Sequence, residues 1–142
     1  MPDPHPAVLM FIAGRHVETR VMEAVREAGF DLTLAQARLA ARIGERGSRL
    51  TDLAEQAQVT KQSAGFLVDQ LEREGYVERV PDPGDARARL VRFTERGRDV
   101  VAAARKVERQ VLNEWRRHLG PERFNALQEA LTALREITDP YA

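Results

Sequence analysis

The chain has 142 residues, 43% of them hydrophobic, and its 22 Lys plus Arg balance 22 Asp plus Glu, with no cysteine. This length fits one compact domain, and the zero net charge excludes a uniformly basic nucleic-acid binder, so any cationic surface has to be local. The lack of cysteine excludes disulfides, thiolate metal cages and cysteine redox switches, and the lack of a long apolar run or an apolar leader predicts a cytoplasmic protein without a membrane span.

Four helices are predicted in the first half of the chain. Pro2, Pro4 and Pro6 make the start non-helical, and apolar residues recur at helical spacing after it. The predicted helices span residues 7–28, 33–44, 51–57 and 60–74, with Thr33 and Thr60 as N-caps, Thr51 opening the third helix, and Gly29 and Gly75 as C-terminal stops.

The pattern changes after residue 75. Residues 76–80 and 89–93 are rich in β-branched and aromatic side chains, and the turn formers of residues 81–85 lie between them, which predicts a hairpin with a long polar tip. Two more helices follow, one capped by Thr94 and one starting at Pro121. The last helix carries an inner stripe of Phe124, Leu127, Leu131, Leu134 and Ile137. The predicted fold class is mainly α with a small β-hairpin.

No catalytic or metal-binding pattern is found in the sequence. His5, His16 and His118 are far apart, and none has the spacing of metal ligands. Nearly every acid has a base three or four residues away, as on a solvated helix face. The sequence therefore favours a protein that is not an enzyme and that needs neither a cofactor nor a metal ion.

Residues 51–71 fit a helix-turn-helix, a motif whose second helix can lie in the major groove of DNA. Ala54 is small where the two helices would cross, and Gln58 stands in the turn, where glycine is often found. The residues expected to face inward are Val59, Ala64, Leu67 and Leu71. An ordinary helical hairpin in a protein core is the alternative interpretation of this segment alone.

Lys61, Gln62 and Ser63 are expected to form the exposed first turn of the fourth helix. Their side chains suit base edges and phosphates, because glutamine can pair with adenine and a helix N-terminus favours an anion. A solvated first turn without a ligand is the alternative.

The hairpin that follows would make this motif a winged helix, in which the ribbon reaches the neighbouring minor groove or phosphates. Residues 79–98 contain six arginines and three acids, whereas residues 31–78 contain six bases and eight acids. The cationic surplus therefore lies at the hairpin, where Arg87 and Arg89 are candidate DNA contacts. Asp85 is expected to brace the guanidinium of Arg87, although it could equally be a turn former beside a solvated arginine.

These segments together resemble the MarR family of winged-helix transcriptional regulators. The motifs that carry the resemblance are Val59-Thr60-Lys61 and residues 71–79, 82–87 and 91–97. The resemblance extends to helix order and length, and it implies a single domain over residues 1–142 with dimerisation helices at 7–30 and 95–139 around a DNA-binding region at 31–94. It implies a homodimer that binds double-stranded DNA at a palindromic operator, as a repressor or less often an activator. It also places Arg87 in the minor groove, with Asp85 supporting it.

The recognition helix departs from the family pattern. Gly65 and Phe66 stand where members often have Ser followed by Arg, so a frequent DNA contact is missing. Phe66 either contacts a thymine methyl or folds against the helix surface, and both fit the spacing. The predicted DNA-binding residues are Thr60, Lys61, Gln62, Ser63, Gly65, Phe66, Asp85, Arg87 and Arg89.

Two further expectations concern partners. The long apolar stripes of the terminal helices need a second copy to cover them, the alternative being a monomeric six-helix bundle. The resemblance also implies a small-molecule effector, for which Phe11, His16 and Trp115 are candidate lining residues, with plain core or interface positions as the alternative. A winged-helix dimer that binds a protein instead of DNA is the rival function, favoured by the neutral total charge and the acid-rich region around the recognition helix.

Overall fold

The computed structural model describes residues 2–141, so Met1, at the start of the predicted Pro-rich tail, and Ala142 lie outside the described residues. Residues 2–141 form six helices and one antiparallel two-stranded sheet, which confirms the predicted fold class. The elements are α1 Pro6–Glu27, α2 Leu34–Ala40, α3 Leu50–Ala57, α4 Lys61–Arg73, β1 Val77–Asp82, β2 Asp85–Phe93, α5 Glu95–Leu119 and α6 Pro121–Thr138.

Most helices begin and end where the sequence signals predicted. Thr33 forms a capping box with Gln36, and Thr60 caps α4 through the backbone N–H of Ser63. Gly29 and Gly75 adopt positive φ angles of 92° and 83°, the conformation that favours glycine after a helix.

Three helix bounds were predicted wrongly. Pro6 is the first residue of α1 and not part of a non-helical tail, because the fixed φ of proline suits a helix start, where its missing N–H is not needed. α2 ends at Ala40, before Gly44, where the chain tightens into bonds from Arg42 N–H and Ile43 N–H to carbonyls three residues back. Thr51 lies inside α3, which begins at Leu50.

The two strands form a ribbon, here called the wing (residues 77–93). The prediction that this ribbon ends in a long tip is wrong. Pairing runs from Val77↔Phe93 to Asp82↔Asp85 with a register shift at Pro81, which leaves only two residues at the turn. The strands extend this far because the Asp82 carboxylate accepts a bond from Gly84 N–H at 2.9 Å and folds the turn back. Ser48 also pairs with Val91 through two backbone bonds of 2.8 and 2.9 Å, a contact that was not predicted.

The described chain divides into two compact units. One unit comprises residues 22–104, and helix α4 packs there against α2, α3 and β1. The amide of Gln36 donates to that of Gln70 at 3.0 Å and so ties α2 to α4. The fully or almost fully buried side chains of this unit are Val25, Leu39, Leu53, Ala54, Ala64, Val68, Leu71, Tyr76, Val77 and Val91.

The inward face of α4 was predicted only in part. Ala64 and Leu71 are fully buried and Leu67 is half-buried, but Val59 is 37% exposed. Val68 is fully buried in its place, since it lies on the same side of the helix as Ala64 and Leu71. Val59 precedes the N-cap of α4 and does not share the periodicity of that helix.

The other unit comprises the chain up to Val21 together with Arg105 onwards. Arg20 donates to both carboxylate oxygens of Glu114 at 2.7 and 3.2 Å, and this pairing holds the pKa of Glu114 below its usual value. Val107, Val111 and Phe124 are buried, whereas the rest of the predicted inner stripe of α6 is exposed. None of the helices in residues 2–141 has the length and apolar character of a membrane span.

Candidate nucleic-acid interface

The turn between α3 and α4 sets the direction in which α4 begins. Gln58 adopts a left-handed conformation with φ 57° and ψ 43°, which few residues other than glycine accept readily. Its side-chain amide donates to the carbonyl of Glu55 at 2.8 Å and helps to hold that conformation. The structure thus forms the helix-turn-helix without the usual glycine.

The first turn of α4 exposes Lys61, Gln62 and Ser63, as predicted. The Thr60 hydroxyl accepts from Ser63 N–H at 3.0 Å and donates to the Ser63 hydroxyl at 2.9 Å, so Thr60 and Ser63 fix the start of the helix. The side chains of Lys61 and Gln62 make no hydrogen bond or ion pair within residues 2–141. They are therefore free to meet a ligand beside the positive end of the helix dipole.

The start of α4 and the wing share one surface. An open depression is lined by Arg49, Leu50, Thr51, Lys61, Arg79, Ala88, Arg89 and Val91, which come from α3, α4 and both strands of the wing. Lys61 and Arg89 are the lining cations that have no carboxylate partner in the part of the chain described. The depression therefore presents two unneutralised positive charges from two different elements.

The arginines of residues 79–98 divide into paired and unpaired groups. The paired or packed ones are Arg79 on Asp69 and Glu72, Arg92 on Glu78, Arg96 on the rings of Phe30 and Tyr76, and Arg98 on the carbonyl of Phe93. Arg87 and Arg89 are exposed, stand two residues apart in β2, and have no ion pair among the described residues. Arg87 and Arg89, the two arginines that the sequence singled out, are thus the ones in residues 79–98 whose side chains form no ion pair, ring contact or hydrogen bond within residues 2–141.

Asp85 acts differently from the prediction. Its carboxylate accepts from the backbone N–H of Arg87 at 2.9 Å, and its other oxygen lies 3.9 Å from the guanidinium of Arg49. The predicted carboxylate–guanidinium contact with Arg87 is therefore wrong. An aspartate near a turn bonds the backbone two residues on more readily than it holds a long side chain. Asp85 shapes the wing backbone from which Arg87 projects.

Arg49 and Asp82 form a link that sequence reasoning missed. Arg49 donates from Nε and Nη2 to one oxygen of Asp82 at 3.1 and 2.8 Å, and it joins the start of α3 to the tip of the wing. The Gly84 N–H and then the Arg49 guanidinium hold the pKa of Asp82 below its usual 3.8, and the bond to Asp82 raises the pKa of Arg49. No local pattern could reveal two residues that lie 33 positions apart.

This link predicts an acid-dependent change at the wing tip. Because the folded pKa of Asp82 is lowered, its contribution to wing stability is present above pH 3.8 and is lost as the pH falls through the lowered pKa. The amide resonance of Gly84, followed by NMR against pH, should titrate with a midpoint below 3.8. In Asp82→Asn, the matched control, the step should vanish, and a wild-type midpoint at or above 3.8 would contradict the arrangement.

The remaining candidates fall in separate places. Gly65 and Phe66 are on α4, and Phe66 is 63% exposed. His16 stacks on Trp115 with ring centroids 6.3 Å apart and planes at 28°, whereas Phe11, 78% exposed, lies about 140° further round α1 from His16. Within the described residues, no group of three or more His, Asp or Glu side chains is placed to hold a metal ion.

The chain is similar in sequence and structure to known transcriptional regulators and to other solved structures. The chain is 24% identical over 92 residues to the HTH-type transcriptional regulator BilQ of Clostridioides difficile, a match that covers 65% of this chain and 62% of BilQ. The crystal structure of RV1404 from Mycobacterium tuberculosis is similar with a TM-score of 0.73 at 24% identity over 98% of both chains. CouR from Rhodococcus jostii RHA1 bound to p-coumaroyl-CoA is similar with a TM-score of 0.70 at 22% identity, over 94% of this chain and 92% of CouR.

The family model described as "MarR family" matches residues 30–88, the segment that holds the helix-turn-helix and most of the wing. The helix-turn-helix and wing segment of this chain is that of the MarR family. The predicted resemblance is thereby confirmed, and the fold matches that of solved structures of transcriptional regulators. The match spans less than two thirds of the length of BilQ.

Proposed function

We propose that this MarR-family chain is a homodimeric regulator that binds double-stranded DNA through α4 and the wing. The observation that supports it is the depression in which Lys61 of α4 and Arg89 of the wing present unneutralised charge side by side. A helix N-terminus in a major groove and a ribbon at the neighbouring phosphates need this juxtaposition. Arg87, two residues before Arg89, would supply a second exposed cation of the wing to a minor groove, since a narrow minor groove attracts arginine.

The homodimer is supported by apolar surface that one copy leaves open. In the unit that contains both chain ends, residues 8–12 of α1 and residues 127, 131, 134 and 137 of α6 are exposed large apolar side chains, and Ile137 is 85% exposed. Soluble chains rarely leave such a set of apolar side chains in water. A second copy of the same surface would bury it symmetrically, the arrangement that most homodimers use.

Glutamate at position 131 should therefore break the dimer. Leu131→Glu places a charge in the proposed interface, and sedimentation velocity should show a shift from dimer to monomer at micromolar concentration. Ala133→Glu is the matched control, because position 133 lies about 200° further round α6, and it should remain a dimer. A Leu131→Glu protein that sediments as a wild-type dimer would argue against this interface.

A twofold dimer should recognise a palindrome. Its two α4 helices would enter successive major grooves on one side of the duplex, with half-site centres about 10 bp apart. Repression is the simplest outcome, because a dimer that covers about two turns of promoter DNA excludes other proteins from it.

Small-molecule control is part of the proposal. CouR, which has the same fold, was crystallised with p-coumaroyl-CoA. In this chain the stacked rings of His16 and Trp115 are the aromatic feature that could line such a site. An effector would have to favour one of two dimer conformations by about 1–3 kcal/mol to change DNA occupancy.

Selection from a pool of random duplexes tests DNA binding and symmetry together. We expect enriched sequences with two inverted half-sites, and an affinity that falls steeply with salt because bound cations release counterions from phosphates. A protein-binding module would enrich no sequence and would show weak binding to any duplex.

A further inference from the structure

Phe66 occupies the outer face of α4. The side chains that α4 buries, Ala64, Val68 and Leu71, lie on one side of the helix, and Phe66 lies about 200° round from Ala64. It is 63% exposed, so most of the surface of its ring is open to solvent. An aromatic ring therefore stands out from the centre of the proposed recognition surface.

The surroundings of Phe66 leave access to its ring. Gly65 beside it has no side chain, and a Cβ there would meet only Leu50 Cδ2, at 3.7 Å. One turn towards the start of α4 lies Gln62, whose side chain makes no hydrogen bond within residues 2–141. The Phe66 ring thus lies one helical turn from the free side-chain amide of Gln62, towards the start of α4.

The two carboxylates in the second half of α4 share one positive partner from outside the helix. Arg79 of β1 donates to Asp69 and Glu72, each at 2.8 Å, and Asp69 is the acid one turn beyond Phe66. Without this pairing, two carboxylates near Phe66 would repel a phosphate backbone. Arg79 thus offsets one of the two negative charges, and Asp69, the acid nearest to Phe66 in the sequence of α4, is paired with it. This pairing lowers the repulsion that a polyanion would meet near Phe66.

We propose that Phe66 reads the C5-methyl group of a thymine in each half-site, an inference that rests on the proposed DNA binding. The thymine methyl is the apolar group that base edges present in the major groove, and phenylalanine is a side chain suited to contact it. Phe66 is then a specificity-determining residue, and Gln62 reads the hydrogen-bonding edge of a neighbouring base pair.

Replacing thymine by deoxyuridine removes the methyl group and leaves base pairing intact. On a duplex enriched by the selection above, each thymine is replaced in turn at symmetric positions of both half-sites, and affinity is measured by fluorescence anisotropy. For the wild type, one such pair of replacements should weaken binding about fifteenfold, which corresponds to about fourfold for each methyl group. For Phe66→Ala the same replacement should change affinity less than twofold.

Two controls separate the possible failures. Phe66→Leu keeps an apolar contact and should retain part of the methyl dependence, and thermal unfolding of Phe66→Ala should match the wild type because the ring is exposed. If the wild type binds a selected palindrome but no deoxyuridine replacement matters, or if Phe66→Ala keeps the full methyl dependence, the inference about Phe66 is overturned and DNA binding stands. If the selection enriches no sequence, both proposals are overturned.

Discussion

Gly97→Ala is expected to lower the free energy of unfolding by about 3 kcal/mol. Gly97 is buried in the first turn of α5, and a Cβ there would overlap the carbonyl oxygen of Tyr76 and lie 2.9 Å from Cδ1 of Phe93. The Tyr76 carbonyl cannot withdraw freely, because it accepts the backbone N–H of Thr94 at 3.1 Å. The Thr94 hydroxyl further binds the Gly75 carbonyl at 2.6 Å. Urea unfolding followed by circular dichroism measures the loss.

Gly65→Ala is the matched control for that experiment. Gly65 is also a helical glycine, and a Cβ there would make only an ordinary contact at 3.7 Å. Alanine should therefore leave the stability unchanged or raise it by about 0.5–1 kcal/mol, as alanine does in helix interiors. Equal stability of Gly97→Ala and the wild type would show that α5 does not pack on Tyr76 as described.

The double variant Arg87→Ala/Arg89→Ala is expected to bind the selected operator about 10³-fold more weakly than the wild type. A dimer loses four exposed cations, and a loss of about 1 kcal/mol for each contact already amounts to three decades in affinity. The slope of log affinity against log salt should become shallower by about 3 to 4, because fewer counterions are released. Anisotropy titrations at several salt concentrations give both quantities.

Arg73→Ala is the control for charge alone. Arg73 is exposed, and Arg73→Ala removes one positive charge from each chain, half of what the double variant removes. It does so at the other end of α4, about 18 Å from Lys61. Its affinity should stay within a few-fold of the wild type. If Arg73→Ala weakened binding as much as the wing variant, net charge and not the position of the wing would account for binding.

Local signals in the sequence were sufficient to predict most of the fold. Thr33, Thr60 and Gly75 act within one helical turn, so their residue types alone indicate where α2 and α4 begin and where α4 is followed by a left-handed turn. The β-branched and aromatic residues of segments 76–80 and 89–93, with turn formers between them, identified the two strands. It did not fix their length, because the bond from Gly84 to Asp82 depends on the turn geometry itself.

Contacts between distant segments could not be predicted in this way. The pairing of Ser48 with Val91 and the link from Arg49 to Asp82 join residues that only the folded chain brings together. Asp85 shows a different difficulty, since the sequence allowed its carboxylate to bind either the guanidinium or the backbone N–H of Arg87. In the structure it accepts from the backbone N–H. The candidate interface was predicted residue by residue, but its common surface follows from the tertiary packing of α3, α4 and the wing.

The central claim is that two copies present α4 and the wing together to a twofold DNA site. Native mass spectrometry of the protein with the selected duplex tests it most directly. We expect two 16.0 kDa chains on each duplex, with no stable one-chain complex, and loss of the complex when one half-site is scrambled. One chain bound to each duplex, with the same affinity after one half-site is scrambled, would contradict the account.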